Sequence, residues 1–534
     1  MQVFMNHIEL FAGCGGLSLG LETAGFDLLS ANELSPMASE TFAYNHLDAD
    51  LELQRNIEKI YWISSEKKRA DIRSRLRENP NNATGLTCDH NSDLKGREFS
   101  KRDLDRSLLI GSIIDLNTLL DENSSLLKVL KFGLDGKGTD LVSGGPPCQS
   151  FSLAGLRQHS NNRNHLPWEF AKFVEKTQPK IALLENVSGI LRAFKIGESK
   201  YYAWYEVAKA FAKVGYIPIC LHVNAKYVGT AQNRPRFILL AIREDVYQKF
   251  ESSSLAKEVI TELEPYKKFF RKVYHEKKNL KIGEINYLDI GKHRDVFRSK
   301  LFRPLLTHED DELVSVKHAI DDLRSKRVKE SEYVDRINSI YKRHHAHPLN
   351  KVKNHDPRSN NDRVKSRFRI YQVMSKLPKK QLREISKFLR SEGAAGIRDD
   401  TLKDLSNYWL LDTTGEKIDF PSKKKILGIL SQLYTKKQTQ RALTANEPAP
   451  AALSIPDDAC HYYESVKEQR TLTVREMSRI QSFPDWYEIK SKVTTGGQMR
   501  KFEVPQYTQI GNAVPPLLGI ALGEVCKMIL DVAN

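Results

Sequence analysis

The sequence has no apolar run long enough to cross a membrane. A membrane-spanning helix needs about 18 to 20 consecutive apolar residues, and no segment of the 534 residues approaches that length. The segment from Met1 to Phe11 also lacks the basic flank and the small-residue cleavage site of a signal peptide. It leads directly into a glycine-rich turn and is predicted to form a strand, so we expect a cytoplasmic protein that does not contact a membrane.

Cysteine is scarce and widely spaced. The absence of CxxC pairs and dense clusters argues against zinc ribbons and disulfide scaffolds and favours reduced thiols. The six cysteines are Cys14, Cys88, Cys148, Cys220, Cys460 and Cys526. One of them can be functional only if its surroundings activate the thiol.

Acidic residues are fewer than basic ones. The chain has 67 Asp and Glu against 83 Lys and Arg, which gives a formal net charge of +16 and a pI near 9.3. This excess suits a polyanionic partner such as nucleic acid, although a basic surface can also simply keep a protein soluble. Hydrophobic residues make up 40% of the chain, which favours a folded, globular protein over a disordered one.

The first 33 residues predict a strand, turn, helix and second strand. The strands cover Val3 to Phe11 and Phe26 to Asn32, and between them lie a glycine turn at 12–16 and a helix that ends at Gly25. Such a unit implies an α/β fold with a mostly parallel sheet, helices on both faces, and ligands at the carboxyl ends of the strands. The later apolar runs that fit the same sheet are 140–143, 181–184 and 237–242.

Composition divides the rest of the chain. Residues from about 50 to 108 are rich in charge and predict a helical or irregular surface insertion. From 250 to 465 the alternation of strand and helix stops, which indicates a second, inserted domain. Thr473 and Glu476 have capping-box spacing, and a final apolar helix is expected to pack on the core. The predicted units are a catalytic domain at 1–250, a smaller domain at 251–490 and a returning C-terminal segment at 491–534.

The segment 144–152 reads Gly-Gly-Pro-Pro-Cys-Gln-Ser-Phe-Ser. Two glycines and two prolines restrict the backbone immediately before Cys148, so a stiff loop holds this thiol in a fixed place. A packing cysteine and a metal ligand are alternative interpretations, but a nucleophile fits the loop better. Because a free thiol with a pKa of about 8.5 is largely protonated at neutral pH, a nearby cation would have to lower that pKa.

Two further groups are expected near Cys148. Arg234 and Arg236, in Gln-Asn-Arg-Pro-Arg, follow a strand and offer the cations, unless they belong to a basic surface patch. Glu185, in Glu-Asn-Val, follows an apolar strand at the same edge of the sheet. Burial there would raise the pKa of Glu185 and allow it to carry a proton.

The glycine turn after the first strand departs from the dinucleotide fingerprint, because position 18 is Ser. A nucleoside without a pyrophosphate is therefore the better ligand. Glu33, at the tip of the second strand, would accept hydrogen bonds from ribose hydroxyls, although a capping or solvent-facing carboxylate is the alternative. Phe11 would stack on an adenine or belong to the core.

Together these motifs resemble the cytosine-5 DNA methyltransferase family of restriction-modification systems. The resemblance extends, in the order of the family, over 8–25, Glu33, 144–152, 185–187, 232–236, 470–484 and 509–516. It implies an S-adenosylmethionine-dependent methyltransferase fold with an inserted DNA target-recognition domain.

The resemblance also implies roles for single residues. Cys148 would add to carbon 6 of a cytosine turned out of the duplex, Glu185 would hold the ring nitrogen and amine, and Arg236 with Arg234 would contact the carbonyl oxygen. The residues implied to cradle S-adenosylmethionine are Phe11, Gly13, Gly15, Glu33, Asp115, Pro147, Asn512, Ala513 and Val514. Asp115 would hold the adenine amine, although its spacing departs from the tighter Gly-Asp-Ile of the family.

The implied function is methylation of carbon 5 of cytosine within a specific duplex DNA sequence, which would protect DNA from a cognate restriction endonuclease. The alternatives are an RNA (tRNA) cytosine-5 methyltransferase and a catalytically silent, sequence-specific DNA-binding protein. We expect a prokaryotic, nucleoid-associated monomer. The histidines at 344, 345 and 347 lack a Cys or carboxylate at ligand spacing, so we expect no metal.

Overall fold

A nine-stranded sheet organises the chain. The computed structural model describes residues 5–82, 91–147, 165–196, 199–324, 329–344, 352–391, 395–437, 439–451 and 459–533. The strands are β1 (Met5–Leu10), β2 (Phe26–Glu33), β3 (Ile60–Trp62), β4 (Ser107–Ile110), β5 (Leu141–Gly144), β6 (Ile181–Val187), β7 (Phe194–Ile196), β8 (Ser199–Tyr201), β9 (Tyr216–Asn224), β10 (Gln232–Asn233), β11 (Pro235–Arg243), β12 (Leu288–Asp289), β13 (Leu410–Leu411), β14 (Lys417–Ile418), β15 (Arg441–Ala442), β16 (Ala449–Pro450) and β17 (Ala459–Cys460).

Helices connect most of these strands. They are α1 (Gly16–Thr23), α2 (Pro36–His46), α3 (Ile72–Arg75), α4 (Lys101–Leu104), α5 (Ile113–Glu122), α6 (Ser124–Phe132), α7 (Leu166–Thr177), α8 (Ala203–Lys213), α9 (Glu244–Glu251), α10 (Ile260–Tyr274), α11 (Arg294–Arg298), α12 (Val316–Ile320), α13 (Glu332–Ser339), α14 (Asp362–Met374), α15 (Lys379–Arg390), α16 (Asp399–Ser406), α17 (Lys423–Ser431), α18 (Val474–Ile480), α19 (Gln506–Asn512) and α20 (Pro516–Ala533).

The order of the main sheet is β12-β9-β11-β6-β5-β1-β2-β4-β3. Strand β11 runs antiparallel to both of its neighbours, β6 and β9, whereas the other pairings are parallel. In the β6–β11 pair, Val187 lies opposite Arg236. The beginning of β11 is therefore at the same edge as the carboxyl ends of β1, β2, β4, β5 and β6, and we call this edge the carboxyl edge.

Helices cover both faces of the sheet, which confirms the predicted α/β fold. Helix α1 packs on α20, and α20 on α9, whereas α5, α6, α7 and α8 pack on one another. The contact between α1 and α20 is very close, because a Cβ atom on Gly20 would lie 2.5 Å from the Cα atom of Gly519. Only glycines on both helices allow this approach.

The last helix, α20, is strongly apolar, so its composition has to be distinguished from that of a membrane-spanning helix. By length and composition, the helical segment Gln506–Ala533 could cross a membrane, but 72% of its most apolar window is buried inside the protein. Such burial is typical of a core helix in a globular protein. The predicted apolar helix at 517–530 is confirmed and extends from Pro516 to Ala533.

The charged insertion is mostly irregular, as predicted, but it is not only a surface segment. It contributes β3 to the edge of the main sheet and buries Trp62 there. Its charge is partly internal, since the buried Arg75 pairs with Asp93 at 2.9 Å and lies 5.2 Å from the Trp62 ring. The interpretation of the whole segment as surface was wrong because a three-residue edge strand leaves almost no apolar pattern.

Apolar side chains form two large clusters. The main cluster includes the sheet, its helices and also residues from Leu255 to Tyr341, and a second cluster lies between Phe368 and Cys460. The predicted domain boundary at residue 250 stays a prediction, but the second cluster begins at Phe368, whereas Leu443, Ala449 and Ala459 in the same stretch of chain belong to the main cluster. We call residues 361–460 the small unit.

The predicted helix start at Thr473 is confirmed. The Glu476 carboxylate accepts a hydrogen bond from the Thr473 amide at 2.7 Å, and the Thr473 hydroxyl accepts one from the Glu476 amide at 3.2 Å. Helix α18 covers Val474–Ile480. Ser482 has a φ of 65°, a left-handed conformation that does not continue a helix.

Candidate active site at the carboxyl edge

The turn after β1 alternates between left-handed and ordinary backbone. Phe11, Gly13 and Gly15 have φ values of 54°, 57° and 87°, and for Phe11 this conformation is strained. The turn is also tightly enclosed, because a Cβ atom on Gly15 would lie 2.6 Å from the Tyr487 hydroxyl and would collide with the His46 ring. Glycine is therefore required at Gly15 by both its φ and its neighbours.

Glu33 closes this turn on the second strand. Its carboxylate accepts hydrogen bonds from the amides of Gly13 at 2.9 Å and Ser35 at 2.8 Å. Burial raises the pKa of Glu33, and the two amide hydrogen bonds act against that rise. Each carboxylate oxygen can accept more than one hydrogen bond, so Glu33 can still bind a hydroxyl-bearing ligand.

Two further predicted cofactor contacts, Asp115 and Phe11, come shortly after β4 and directly after β1. Asp115 is buried in the first turn of α5, shortly after Gly111, whose amide donates to the Glu33 carbonyl at 2.9 Å. Phe11 lies with its ring centroid 6.4 Å from that of Phe170 in a tilted arrangement. Both residues therefore lie near the glycine turn.

The predicted turn at Asn512, Ala513 and Val514 lies against the start of α1, next to the glycine turn. A Cβ atom on Gly16 would collide with the carbonyl oxygen of Val514 and lie 2.8 Å from the Phe483 ring. The start of α1 and this C-terminal turn are therefore in direct backbone contact. Asn512 is exposed at the surface of the turn.

Arg234 holds the C-terminal turn on the sheet. Its guanidinium is buried and donates to the carbonyl oxygens of Gly511 at 2.9 Å, Ala513 at 2.8 Å and Ala451 at 3.3 Å. Sequence analysis assigned Arg234 to substrate. The described hydrogen bonds of its side chain go to backbone carbonyls, an outcome that the motif alone could not indicate.

Glu185 and Arg236 form an ion pair at the carboxyl edge. The Arg236 Nε atom lies 2.6 Å from Glu185 Oε1, and both side chains are buried. Burial lowers the pKa of Arg236, and the Glu185 carboxylate acts against this. A Cβ atom on Gly145 would lie 3.0 Å from Glu185 Oε2, so the carboxylate lies against the glycine-proline loop.

Asn186 connects the end of β6 to the glycine-proline loop, and sequence analysis assigned it no role. Its side-chain amide donates to the Pro146 carbonyl at 3.1 Å, and its side-chain oxygen accepts from the Val187 amide at 2.9 Å. Pro147 is exposed just beyond this contact. The predicted nucleophile Cys148 lies outside the described residues, which end at 147 and resume at 165.

A buried charge network packs against the glycine turn, and the sequence pattern did not predict this network. Glu22 pairs with His46 at 2.6 Å, Arg106 at 2.9 Å and His344 at 2.5 Å. Burial acts to raise the pKa of Glu22, but these neighbours outweigh it and hold that pKa well below the usual value. His46 also lies 3.0 Å from the Tyr487 hydroxyl, which donates to the Cys14 carbonyl in the turn.

A second chain of polar groups fixes the end of β6. The Ser188 hydroxyl lies 2.9 Å from His222 Nε2, and His222 Nδ1 lies 2.7 Å from Asp289 Oδ2. These residues tie the segment after Glu-Asn-Val to β9 and β12.

The histidine segment shows no metal-ligand geometry where the structure describes it. His344 lies against Glu22, whereas the residues from 345 to 351 are outside the described ranges. Among the described residues, no group of three or more His, Cys, Asp or Glu side chains is arranged to hold a metal ion.

The chain matches one family model and is similar to several known proteins. The family model described as "C-5 cytosine-specific DNA methylase" matches residues 5–71 and 123–528. The Type II methyltransferase M.DdeI of Desulfomicrobium norvegicum is 26% identical over 97% of this chain and 88% of its own length. The Type II methyltransferase M.AgeI of Thalassovita gelatinovora is 25% identical over 99% of this chain and 100% of its own length. A crystal structure of a prophage-encoded E. coli DNA modification methyltransferase covers 99% of both chains with 17% identity and a TM-score of 0.43.

Proposed function

The chain belongs to the C-5 cytosine-specific DNA methylase family, and from this premise we propose that it methylates carbon 5 of a cytosine within a specific duplex DNA sequence. The observation that carries this proposal is the buried ion pair between Glu185 and Arg236 at 2.6 Å, which lies against the glycine-proline loop that leads to Cys148. A carboxylate and a guanidinium side by side offer complementary hydrogen bonds to the nitrogen and oxygen edge of a cytosine ring.

The residues at the glycine turn fit a nucleoside cofactor such as S-adenosylmethionine. Glu33 keeps free acceptor capacity toward ribose hydroxyls, and the strained Phe11 presents an aromatic ring beside the turn. The other residues proposed to hold the cofactor are Gly13, Gly15, Asp115, Pro147, Asn512, Ala513 and Val514. When bound, S-adenosylmethionine supplies an electrophilic methyl group.

The protein side of the reaction follows from the residues at the carboxyl edge. The Cys148 thiolate adds to carbon 6 of the cytosine, and the ring electrons move toward carbon 5. Glu185 hydrogen-bonds the ring nitrogen and the exocyclic amine, and Arg236 stabilises the carbonyl oxygen as it gains negative charge. After carbon 5 has accepted the methyl group, it loses its proton to water, and the electrons of that bond expel the Cys148 thiolate.

Cys148 is proposed to be the catalytic nucleophile. Arg234 is proposed to act with these groups by positioning rather than by touching the substrate. Its guanidinium fixes the carbonyls of Gly511 and Ala513, which precede the proposed cofactor contact at Val514. The C-terminal turn and the Glu185–Arg236 pair are therefore coupled through one short segment, since Arg234 immediately precedes β11 and Arg236 is the second residue of that strand.

Access to a cytosine in a duplex requires that the base leave the stack, which costs a few kcal/mol. Contacts with the DNA backbone must compensate for this, and the net charge of +16 favours such contacts. We propose that residues within 251–490, including the small unit, recognise the DNA sequence. The two similar Type II methyltransferases support a role in a restriction-modification system, in which methylation would protect DNA from a cognate endonuclease. We further propose that the protein is a monomer in the bacterial cytoplasm, near the nucleoid.

The test is methyl transfer by the full chain. We expect label from S-adenosylmethionine to appear as 5-methylcytosine in duplex DNA. Cys148→Ser should abolish transfer but retain DNA binding. Duplex DNA with 5-fluorocytosine at the target should trap a covalent adduct, because fluorine cannot leave as a proton does. Transfer to tRNA rather than DNA, or an active Cys148→Ser protein, would contradict the proposal.

A further inference from the structure

Helix α15 carries a basic face that the proposed chemistry does not use. Its sequence, KKQLREISKFLR, places Ile385, Phe388 and Leu389 on the buried side. The cations lie on the opposite side, because residues four apart share a helix face. The exposed cations are Lys379, Lys380, Arg383, Lys387 and Arg390, and we call this set the α15 basic face.

The acidic residue of the helix is turned away from these cations. Glu384 accepts hydrogen bonds from the Arg398 amide at 2.5 Å and from the Thr401 hydroxyl at 2.8 Å, and it pairs with the Arg398 guanidinium at 3.1 Å. Within the described residues, no ion pair engages Lys379, Arg383 or Lys387. Within the part of the chain that the structure describes, the charges of these three residues are therefore not neutralised by ion pairs.

A groove lies along this face. It has a volume of about 480 Å³ and is lined by Leu382, Arg383, Ser386, Lys387, Arg390 and Ser391. Cations and serine hydroxyls are the groups that bind phosphate oxygens in protein–DNA complexes. Among the described residues, no acidic side chain lines the groove.

The basic surface extends beyond the helix. The Thr435 amide donates to the Leu389 carbonyl at 2.9 Å, which brings the exposed Lys436 to the C-terminal end of α15. The small unit as a whole has 19 Lys and Arg against 12 Asp and Glu. A large share of the net positive charge of the protein is thus concentrated in these 100 residues.

Helix stability does not explain this pattern. Cations stabilise the last turn of a helix but destabilise the first, where the helix dipole is positive. Lys379 and Lys380 occupy the first turn of α15, which has no acidic residue and no side-chain cap. Their placement opposes helix formation, so it points to an external anion.

We propose that the α15 basic face binds the phosphate backbone of duplex DNA. This inference rests on the proposed function, since it assigns one surface of the small unit to the same substrate. A helix of 12 residues is about 18 Å long, long enough to reach several phosphates of a duplex in which each strand carries one phosphate per about 3.4 Å of helix axis. Contacts of this kind position the protein on DNA and do not read its sequence.

The experiment measures how salt weakens binding of the full chain to a fluorescent duplex. The test variant is Lys379→Gln, Arg383→Gln and Lys387→Gln together. The matched control is Lys128→Gln, Lys137→Gln and Lys213→Gln together, which removes the same number of positive charges as the test variant. Lys137 and Lys213 precede β5 and β9, so they lie away from the carboxyl edge. Each lost phosphate contact reduces the slope of log K against log salt by about one, so we expect a reduction of about three in the test variant and less than one in the control.

Three further readouts separate the outcomes. The urea midpoint of the test variant should stay close to that of the wild type, because the loss of Lys379 stabilises the first turn and the loss of Lys387 destabilises the last. Methyl transfer at saturating DNA should be unchanged, whereas the KM for DNA should rise about tenfold or more. Equal slopes for test and control would overturn the inference, as would a loss of affinity for single-stranded RNA with none for duplex DNA. If the slopes differ as expected but neither the wild type nor the variants transfer methyl groups, the α15 basic face still binds DNA and the proposed function fails.

Discussion

Replacing Arg234 by Met tests whether this residue positions the cofactor turn or contacts the base. Methionine fills a similar volume but removes the donors to the carbonyls of Gly511 and Ala513, at 2.9 and 2.8 Å. Each hydrogen bond from a charged group contributes about 1.5 to 3 kcal/mol. Burial of the guanidinium offsets part of this gain, so we expect a net destabilisation of about 2 to 4 kcal/mol.

Two assays measure the consequence. The urea midpoint at constant m reports the free energy of unfolding, and calorimetric titration reports the Kd for S-adenosylmethionine. A loosened turn at 511–514 should weaken cofactor binding about tenfold, which corresponds to about 1.4 kcal/mol. Arg234→Lys should lie between wild type and Arg234→Met, because an ammonium lacks the planar fork that serves two carbonyls.

Arg243, the last residue of β11, offers a matched control. It lies at the other end of β11, where it pairs with Asp245 at 2.6 Å and donates to the Gln178 carbonyl at 2.6 Å. Its side chain is 28% exposed, so Arg243→Met should cost about 1 kcal/mol or less and leave the Kd unchanged. The positioning role is refuted if Arg234→Met keeps the wild-type cofactor Kd and loses only kcat, since a direct contact with the base would produce that result.

Three further predictions have defined outcomes. Glu185→Gln keeps the shape but removes the charge, so it should reduce kcat about a hundredfold or more without changing the cofactor Kd; a wild-type kcat would exclude Glu185 from the chemistry. Gly16→Ala should destabilise the protein by about 1 to 3 kcal/mol because the added methyl group collides with the Val514 carbonyl. In the control Gly428→Ala, the added methyl group meets nothing within 4 Å in α17, so this change should stabilise the protein by up to about 1 kcal/mol. Equal urea midpoints for the two variants would contradict this prediction. Burial raises the pKa of Glu9 to about 8, so its contribution to stability is present below pH 4.5 and is lost as the pH rises through 8. Glu9→Gln should therefore raise the unfolding free energy at pH 8 by about 2 to 4 kcal/mol and flatten its pH dependence, and a parallel pH profile would count against the buried, protonated state.

The sequence predicted those elements whose defining residues lie close together in the chain. The first strand, glycine turn, helix and second strand are adjacent in the chain, and Thr473 and Glu476 are three residues apart. Glu185 and Arg236 were placed at one edge because each stands beside an apolar strand. Their direct ion pair needed the antiparallel direction of β11, which the sequence does not state.

The unpredicted parts of the site depend on distant segments. Arg234 and Gly511 are 277 residues apart, and no motif connects a guanidinium to a particular carbonyl at that distance. The network around Glu22 brings together side chains from α1, α2, the insertion and residue 344. Strand β3 escaped prediction because three residues at a sheet edge carry too little periodicity to distinguish from a charged loop.

The contact between the Tyr487 hydroxyl and the Cys14 carbonyl joins residues 473 positions apart, and this separation has a consequence for protein synthesis. A ribosome adds about 5 to 20 residues per second, so the glycine turn must wait about 25 to 95 seconds before its closing partner exists. Until then the nascent protein would lack a finished cofactor pocket, and methylation could begin only after translation of the chain is almost complete.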